Sequence, residues 1–475
     1  MNDPNGLVFF AGEYHLFYQY HPSSSVWGPM HWGHAVSTNL VDWEHLPIAL
    51  YPDQLGYIFS GSIVIDWHNS AGFQRGIQPA MVAIFTYHDY EAEQAGATDF
   101  QSQALAFSND KGRTWTKYEG NPVLPNQGDR DFRDPKVFWH EATAQWVMAL
   151  AVNDRVQFYG ATNLKAWTLL SEFGQADGQH NGLWECPDLF PLEADDGTTR
   201  WVLLVSLNPS GPNGGSGTQY FVGEFDGQRF TNDNTPETVL WLDYGRDNYA
   251  GVTWSDIPQE DGRRLFIGWM SNWDYTQVVP SKRWRGAMTL PRTLHLMDTA
   301  NGYRVASRPM QEYEALHATT PTLLGAKLVA DELRLIDGTH ACQFASTLVI
   351  DLAASTSTTF GVTLHNILGE CYRVGFDVDN QRLFSDRTAS GDVSFSEKFA
   401  PAPSFAPYVP ARTMQLHVFI DHSVAEFFVD DGMRVMTEVY FPTQPFTEAV
   451  FFSEGGHTAL VEGSIVPLRS IWEAR

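Results

Sequence analysis

The chain has 475 residues and carries 56 acids against 30 bases, a net charge of −26. A field of that sign repels phosphate backbones and anionic lipid headgroups, so nucleic acid and membrane partners are not expected, while a neutral ligand is indifferent to it. With 43% hydrophobic residues the chain can bury two or more cores, and its 16 Trp and 18 Tyr suit a flat or sugar-like ligand.

The chain opens on MNDPNGLVFF, an Asn-Asp-Pro-Asn-Gly turn around Asp3 followed by an apolar run. Short Val, Ile, Phe, Trp and Tyr runs then alternate with turn clusters, and helical periodicity is almost absent, which predicts an all-β protein. Beneath this lies a repeat. MNDPNGLVFFAGEYHLFYQY, DFRDPKVFWHEATAQWVMALAV and LWECPDLFPLEADDGTTRWVLLVSL each place an acid near a proline, then a strand, a polar turn and a second strand. GYIFSGSIVIDWHNSAGF offers another unit start, and DNYAGVTWSDIPQEDGRRLFIGWM fits with the acid-proline step lost. A second half-motif, a strand, a Ser/Thr-Asn turn and then Trp, recurs in HWGHAVSTNLVDW, LAFSNDKGRTW and QFYGATNLKAW. Unit starts near Gly6, Gly61, Lys136, Leu189 and Val252 predict a five-bladed β-propeller over residues 1–308.

Farther along, SGPNGGSGT is glycine-rich but has no lysine or following helix, so a surface loop is expected rather than a phosphate cradle. The pattern stops near Arg308-Pro309, and RPMQEYEALHATT predicts a short helical linker over 309–321. The strands that follow alternate in and out, with Asp431-Gly432 as a hairpin turn, and predict a β-sandwich over 322–475. There, Asp421, His422 and Glu426 are explained by strand alternation better than by a site. No apolar run is long enough for a membrane-spanning helix. The three cysteines, Cys186, Cys342 and Cys371, are expected as free thiols, with a Cys342–Cys371 bridge the alternative.

In a propeller the innermost strand of each blade lines one central channel. Asp3, Asp134 and Glu185 hold the same place in three units, just before the first strand, so all three are predicted at one mouth. Repeated turn capping is the competing reading. Carboxylates around a Trp-rich pocket with few bases suggest glycoside hydrolysis, which needs one protonated acid and one free carboxylate. His31 and His34 lack a third ligand at zinc-like spacing, so core or pocket hydrogen bonding is expected of them.

MNDPNG, FRDP and WECPD together resemble glycoside hydrolase family 32, the β-fructofuranosidases, which include invertases, exo-inulinases and levanases. YQYHP, WGPMHWGHAVSTNLVDWEHLPIAL, FSGS, SNDKGRTWTKYEGNPVL, GWMSNW and, near the end, LHVFIDHSVAEFFVDDG carry the likeness along nearly the whole chain. The resemblance implies a five-bladed propeller with a β-sandwich. It implies that Asp3 is the nucleophile of a retaining mechanism, Glu185 the general acid and base, and Asp134 the transition-state stabiliser, with Arg133 beside it. Asn2, Gln19, Trp27, Phe59, Ser60 and Trp269 would flank the substrate, a terminal β-fructosyl unit of levan, inulin or sucrose, and no metal or organic cofactor is implied. A sucrose-directed invertase, a fructosyltransferase and a silent fructan-binding propeller are the alternatives, and oligomeric state is open. Glu185, next to apolar Cys186, is the carboxyl expected to stay protonated. The family carries residues ahead of this motif that are absent here, so Met1 is expected to be an interior residue, and an extracellular or periplasmic location would follow from a lost upstream signal.

Overall fold

A computed structural model describes residues 1–472. Residues 4–309 form five antiparallel sheets, each with its first four strands in chain order. Their innermost strands are Pro4–Phe10, Tyr57–Asp66, Phe132–His140, Leu183–Glu193 and Tyr249–Thr253. Each of these touches the innermost strand of the next blade, and the fifth returns to the first. Phe9 N donates to Ser255 O and Ser255 N to Leu7 O, both at 3.0 Å, which closes the ring.

The alternation of apolar residues explains why blades stack. Each blade presents apolar side chains on both faces, and five separate cores fill the five gaps. Val8, Phe17, Ile63 and Phe85 pack between blades one and two, and Val82, Leu105, Val137 and Met148 between two and three. Val147, Phe158, Leu203 and Phe221 fill the third gap; Val202, Tyr220, Phe266 and Leu294 the fourth. Leu7, Leu16, Val252 and Ile267 seal blade five to blade one. A ring closed by burial on every face leaves no free blade to splay.

One feature recurs in all five innermost strands. Each slips register against its neighbour by one extra residue, between Asn5 and Val8, Ile58 and Gly61, Arg133 and Lys136, Glu185 and Asp188, and Tyr249 and Val252. These are β-bulges, which bend a strand and re-aim its side chains. In four of them a residue takes a left-handed backbone: Gly6 at φ 54°, Asp134 at 64°, Cys186 at 46° and Ala250 at 52°.

After the last blade strand, Arg304–Pro309, the segment Gln311–Leu316 makes a 3-10 helix, where a linker helix was expected. The single α-helix among the described residues, Tyr90–Gln94, lies elsewhere, in blade two, and its five residues are too few to leave a periodic trace in the sequence. Residues beyond form two packed antiparallel sheets, of seven and six strands, around Phe344, Phe360, Tyr372, Phe427 and Phe451. All three cysteines are free thiols.

Propeller and sandwich meet through buried charge. Arg292 of blade five donates to Asp243 at 3.0 Å and to Glu426 of the sandwich at 2.6 Å. Arg387 of the sandwich donates to Asp247 at 2.6 Å, and its guanidinium lies 2.9 Å from Glu438. Glu426 thus belongs to a clamp across the seam, which strand alternation alone does not explain. The glycine-rich segment also differs from expectation: Asn213 donates to Tyr244 O and accepts from Phe405 N, so this loop is half-buried against the sandwich.

Candidate active site

The bulges decide where the acids point, and they correct the expectation of one shared repeat position. Glu185 is the residue before the bulge of blade four, Asp134 sits on the bulge of blade three, and Asp3 lies three residues before the first residue of the blade-one bulge, Gly6. Three different offsets bring the three carboxylates together.

Asp3 is anchored by its backbone: its carbonyl accepts from Gln19 N at 3.0 Å and from Asn5 Nδ2 at 2.6 Å. Asn5 Oδ1 in turn accepts from Gly61 N at 3.0 Å, which ties blade one to blade two at this level. The Asp3 carboxyl accepts from Asn2 Nδ2 at 3.0 Å on one oxygen and from Ser60 Oγ at 2.8 Å on the other. Asp134 is fixed by its own N–H, which donates to Thr86 Oγ1 at 3.1 Å. Its carboxyl accepts from Cys186 N at 3.1 Å. The Cys186 thiol lies between the two aspartates, 3.9 Å from Asp3 and 3.7 Å from Asp134.

Glu185 has a different surrounding. One oxygen accepts from Arg133 Nε and Nη2 at 3.2 and 3.0 Å, and the other accepts from the hydroxyl of Tyr249. Arg133 is held from behind by Asp131 at 2.5 Å and stands 3.9 Å from Asp134. Its main partners are therefore Glu185 and Asp131, and its pairing with adjacent Asp134 is the weaker one. Cys186 apolarity, expected to shelter Glu185, is spent on Asp3 and Asp134 instead: at a bulge consecutive side chains diverge. Glu185 keeps 22% of its side chain exposed against 5% for Asp134, so it is the more open to the mouth.

Charge follows this geometry. Burial raises the Asp3 carboxyl above its usual range, and Glu185 pushes it further, while the hydrogen bonds from Asn2 and Ser60 pull back. Burial pushes Asp134 up to about 7; Arg133 opposes the rise, and Glu185 and Asp3 add to it. Burial disfavours the Arg133 charge, but Glu185, Asp134 and Asp131 together outweigh that and hold it cationic. Burial first, then Glu185, lifts the Tyr249 hydroxyl well above its ordinary range, so it stays a donor. The site gathers negative charge faster than it can neutralise it, and protons must be shared.

The remaining expected residues lie around this centre. Asn2, Trp27, Trp269, Met30, Trp273 and Gln277 line an opening that adjoins Asp3 through Asn2, and the three acids are not among its lining residues. Phe59 and Trp27 meet edge to face at 6.2 Å. Gln19 and Trp269 are 2% and 1% exposed, and the Gln19 Nε2 and Trp269 Nε1 donors have no protein partner among the described residues. His34 bonds to His15 at 3.0 Å, and His31 to Pro29 O at 2.9 Å. Among the described residues no group of three or more His, Cys, Asp or Glu is arranged to hold a metal ion. Tyr249, Asn5, Asp131 and Thr86 were missed from sequence. Tyr249 heads one of the two units that lack the acid-proline step, so the repeat gave it no mark.

Comparison with known proteins matches this geometry to a family. The N-terminal domain model of glycosyl hydrolases family 32 matches residues 1–309, and the family's C-terminal model matches 312–467. A levanase of Bacillus subtilis is 46% identical over 99% of this chain and 69% of its own length. An extracellular exo-inulinase of Aspergillus niger is 38% identical over 99% of this chain and 93% of its own. The crystal structure of an exo-inulinase from Aspergillus awamori superposes with a TM-score of 0.91 at 36% identity, covering 99% of this chain and 96% of that one. With two consecutive family models spanning the propeller and the sandwich, and three acids gathered where the blades converge, the chain belongs to glycosyl hydrolase family 32.

Proposed function

We propose that the protein is a retaining, exo-acting β-fructofuranosidase that releases terminal non-reducing β-fructose from levan, inulin and sucrose. The observation that carries this reading is that Glu185, held by Arg133 and Tyr249, is near enough to Asp3, held by Asn2 and Ser60, for its charge to raise the Asp3 carboxyl. Relatives named levanase and exo-inulinase support the substrate class.

In this reading the ionised Asp3 carboxylate attacks the anomeric carbon of the terminal fructosyl unit. Glu185 gives its proton to the glycosidic oxygen as that bond breaks, which leaves a fructosyl ester on Asp3. Glu185, now a base, takes a proton from water, and the resulting hydroxide equivalent opens the ester with net retention. The charge of Glu185 couples the two carboxyls. Negative charge on Glu185 raises the Asp3 carboxyl, so a proton on Glu185 is the condition under which Asp3 ionises most readily. In this reading Asp134 and the partnerless donors of Gln19 and Trp269 hold sugar hydroxyls as the ring flattens toward the oxocarbenium ion. An extracellular or periplasmic location fits relatives named extracellular, and no helix among the described residues is long and apolar enough to cross a membrane.

The test is to incubate purified protein with levan, inulin and sucrose and to follow the first-formed fructose anomer by proton NMR. β-Fructofuranose is expected first, with Glu185→Ala reducing kcat by about 10³-fold or more. Release of no fructose from all three, or of the inverted anomer, refutes the reading.

A further inference from the structure

From Trp27 and Phe59 an aromatic pavement continues outward to Tyr57 and Tyr90, which have no part in the chemistry above. Trp27 and Tyr90 are 36% and 37% exposed. The Tyr57 and Tyr90 rings stack at 5.6 Å between centroids, 15° from parallel. Trp27 meets each of them at 6.4 Å, and meets Phe59 at 6.2 Å, so the pavement runs without a break from the site outward. Beneath it lies His88, 3% exposed, stacked on Phe59 at 4.2 Å and within 6.5 Å of both tyrosine rings. His88 pairs across the strands with Tyr57, and its ring approaches Glu93 at 3.2 Å, which also holds Arg130 at 3.2 Å. The row is supported by buried His88, while Trp27 and Tyr90 keep about a third of their surface exposed and Tyr57 is half-buried.

Folding does not explain the exposed part. Tyr90 opens the short helix Tyr90–Gln94, which buries none of its residues, yet its Asp89 cap accepts from Ala92 N at 3.0 Å and keeps the turn fixed. A rigid, partly wet row of aromatic rings is a surface for ligands with one apolar face. Sugar rings are such ligands: their axial C–H groups lie flat on aromatic faces while their hydroxyls stay in water. The occupant is set by continuity with the site. A terminal fructosyl unit seated at Asp3 has the propeller wall below it, so the rest of a polymer must leave across the rim.

Building on the fructan-hydrolase reading, we propose that Tyr57 and Tyr90, continuing from Trp27, form a distal stacking subsite for the chain-side sugar units of a β-fructan. The track favours polymeric and oligomeric fructans over sucrose, whose leaving glucose is too short to reach it. Exposed acids nearby do not deter a neutral polysaccharide.

The experiment compares kcat/KM for levan, inulin and sucrose in wild type, Tyr90→Ala and Tyr90→Trp. The ratio of fructan to sucrose kcat/KM is expected to fall about tenfold in Tyr90→Ala, through KM for the polymer, and to recover in Tyr90→Trp. Tyr57→Ala is expected to act in the same direction. A ratio unchanged within twofold in both alanine variants overturns the subsite while leaving the hydrolase reading intact. A wild type inactive on every fructoside refutes the hydrolase reading and the subsite with it. If Tyr90→Ala lost activity equally on sucrose and polymer, Tyr90 would be a support of the fold, and the proposal would fall.

Discussion

Asp134 shows what the site costs the fold. Its carboxyl is 5% exposed, and burial pushes it up to about 7 from an ordinary value near 3.8. A carboxyl whose folded value is raised binds its proton more tightly in the native state. Stability from this group is therefore present at low pH and lost as pH climbs from about 4 through about 7. Asp134→Asn removes the buried charge and keeps an acceptor for Cys186 N. It is expected to abolish turnover yet raise Tm on the order of 3 °C at pH 8, with a smaller gain at pH 5. Scanning calorimetry at the two pH values decides it, and an equal or reversed gain counts against the buried-charge account. Ser60 acts in the opposite sense, since its hydrogen bond lowers the Asp3 carboxyl. Ser60→Ala should then raise Asp3, move the acid limb of the kcat/KM profile to higher pH, and reduce kcat/KM about tenfold. A limb that stays put, or moves down, would refute that role.

At the scale of elements, the bulge does the positioning, and its backbone needs are specific. Gly6 takes φ 54°, and a Cβ there would sit 2.8 Å from Ile63 Cδ1 and 3.0 Å from Phe17 Cδ2. Gly6→Ala combines left-handed strain with overpacking in the gap between blades one and two. It is expected to destabilise by about 1–3 kcal/mol and to lower kcat more than it changes KM, because Asp3 rides three residues upstream. Urea unfolding together with steady-state kinetics tests both halves; a stable variant with altered KM alone would show that the bulge does not hold Asp3. The bulges also explain how much of the site was legible in the sequence. The repeat of turn and strand announced five blades, and the acid-proline steps of three of them pointed to Asp3, Asp134 and Glu185. Sequence spacing carries no sign of a one-residue slip, so in the sequence the three acids share one repeat position and Cys186 goes with Glu185 rather than with the aspartates. Tyr249, without an acid-proline step to mark it, went unseen. Glu426 and the Asn213 loop were misread for a related reason: their partners lie in the other domain, more than a hundred residues away along the chain.

For the whole molecule, the question is why a propeller that holds all three candidate carboxylates is packed on a sandwich that supplies none of them. Asp247, which accepts from Arg387 of the sandwich and from Tyr275, precedes Tyr249 by two residues, and Tyr249 donates to Glu185. Sandwich, blade-five entry and Glu185 therefore form one chain of contacts, and Arg387 is buried along with both its carboxylate partners, Asp247 and Glu438. Removing one member of a buried charge network leaves the others unpaired, at a cost of about 3–5 kcal/mol. Arg387→Ala should lower stability by that amount and split a single unfolding transition into two, with fructose release reduced even where both domains remain folded. Arg382, 38% exposed and paired with Asp377 within the sandwich, supplies the control, since Arg382→Ala should cost less than about 1 kcal/mol. Calorimetry and turnover on the two variants distinguish the cases. If Arg387→Ala keeps full kcat with separated transitions, the sandwich serves stability alone; if kcat falls while the pH profile shifts, it reaches Glu185 through Asp247 and Tyr249.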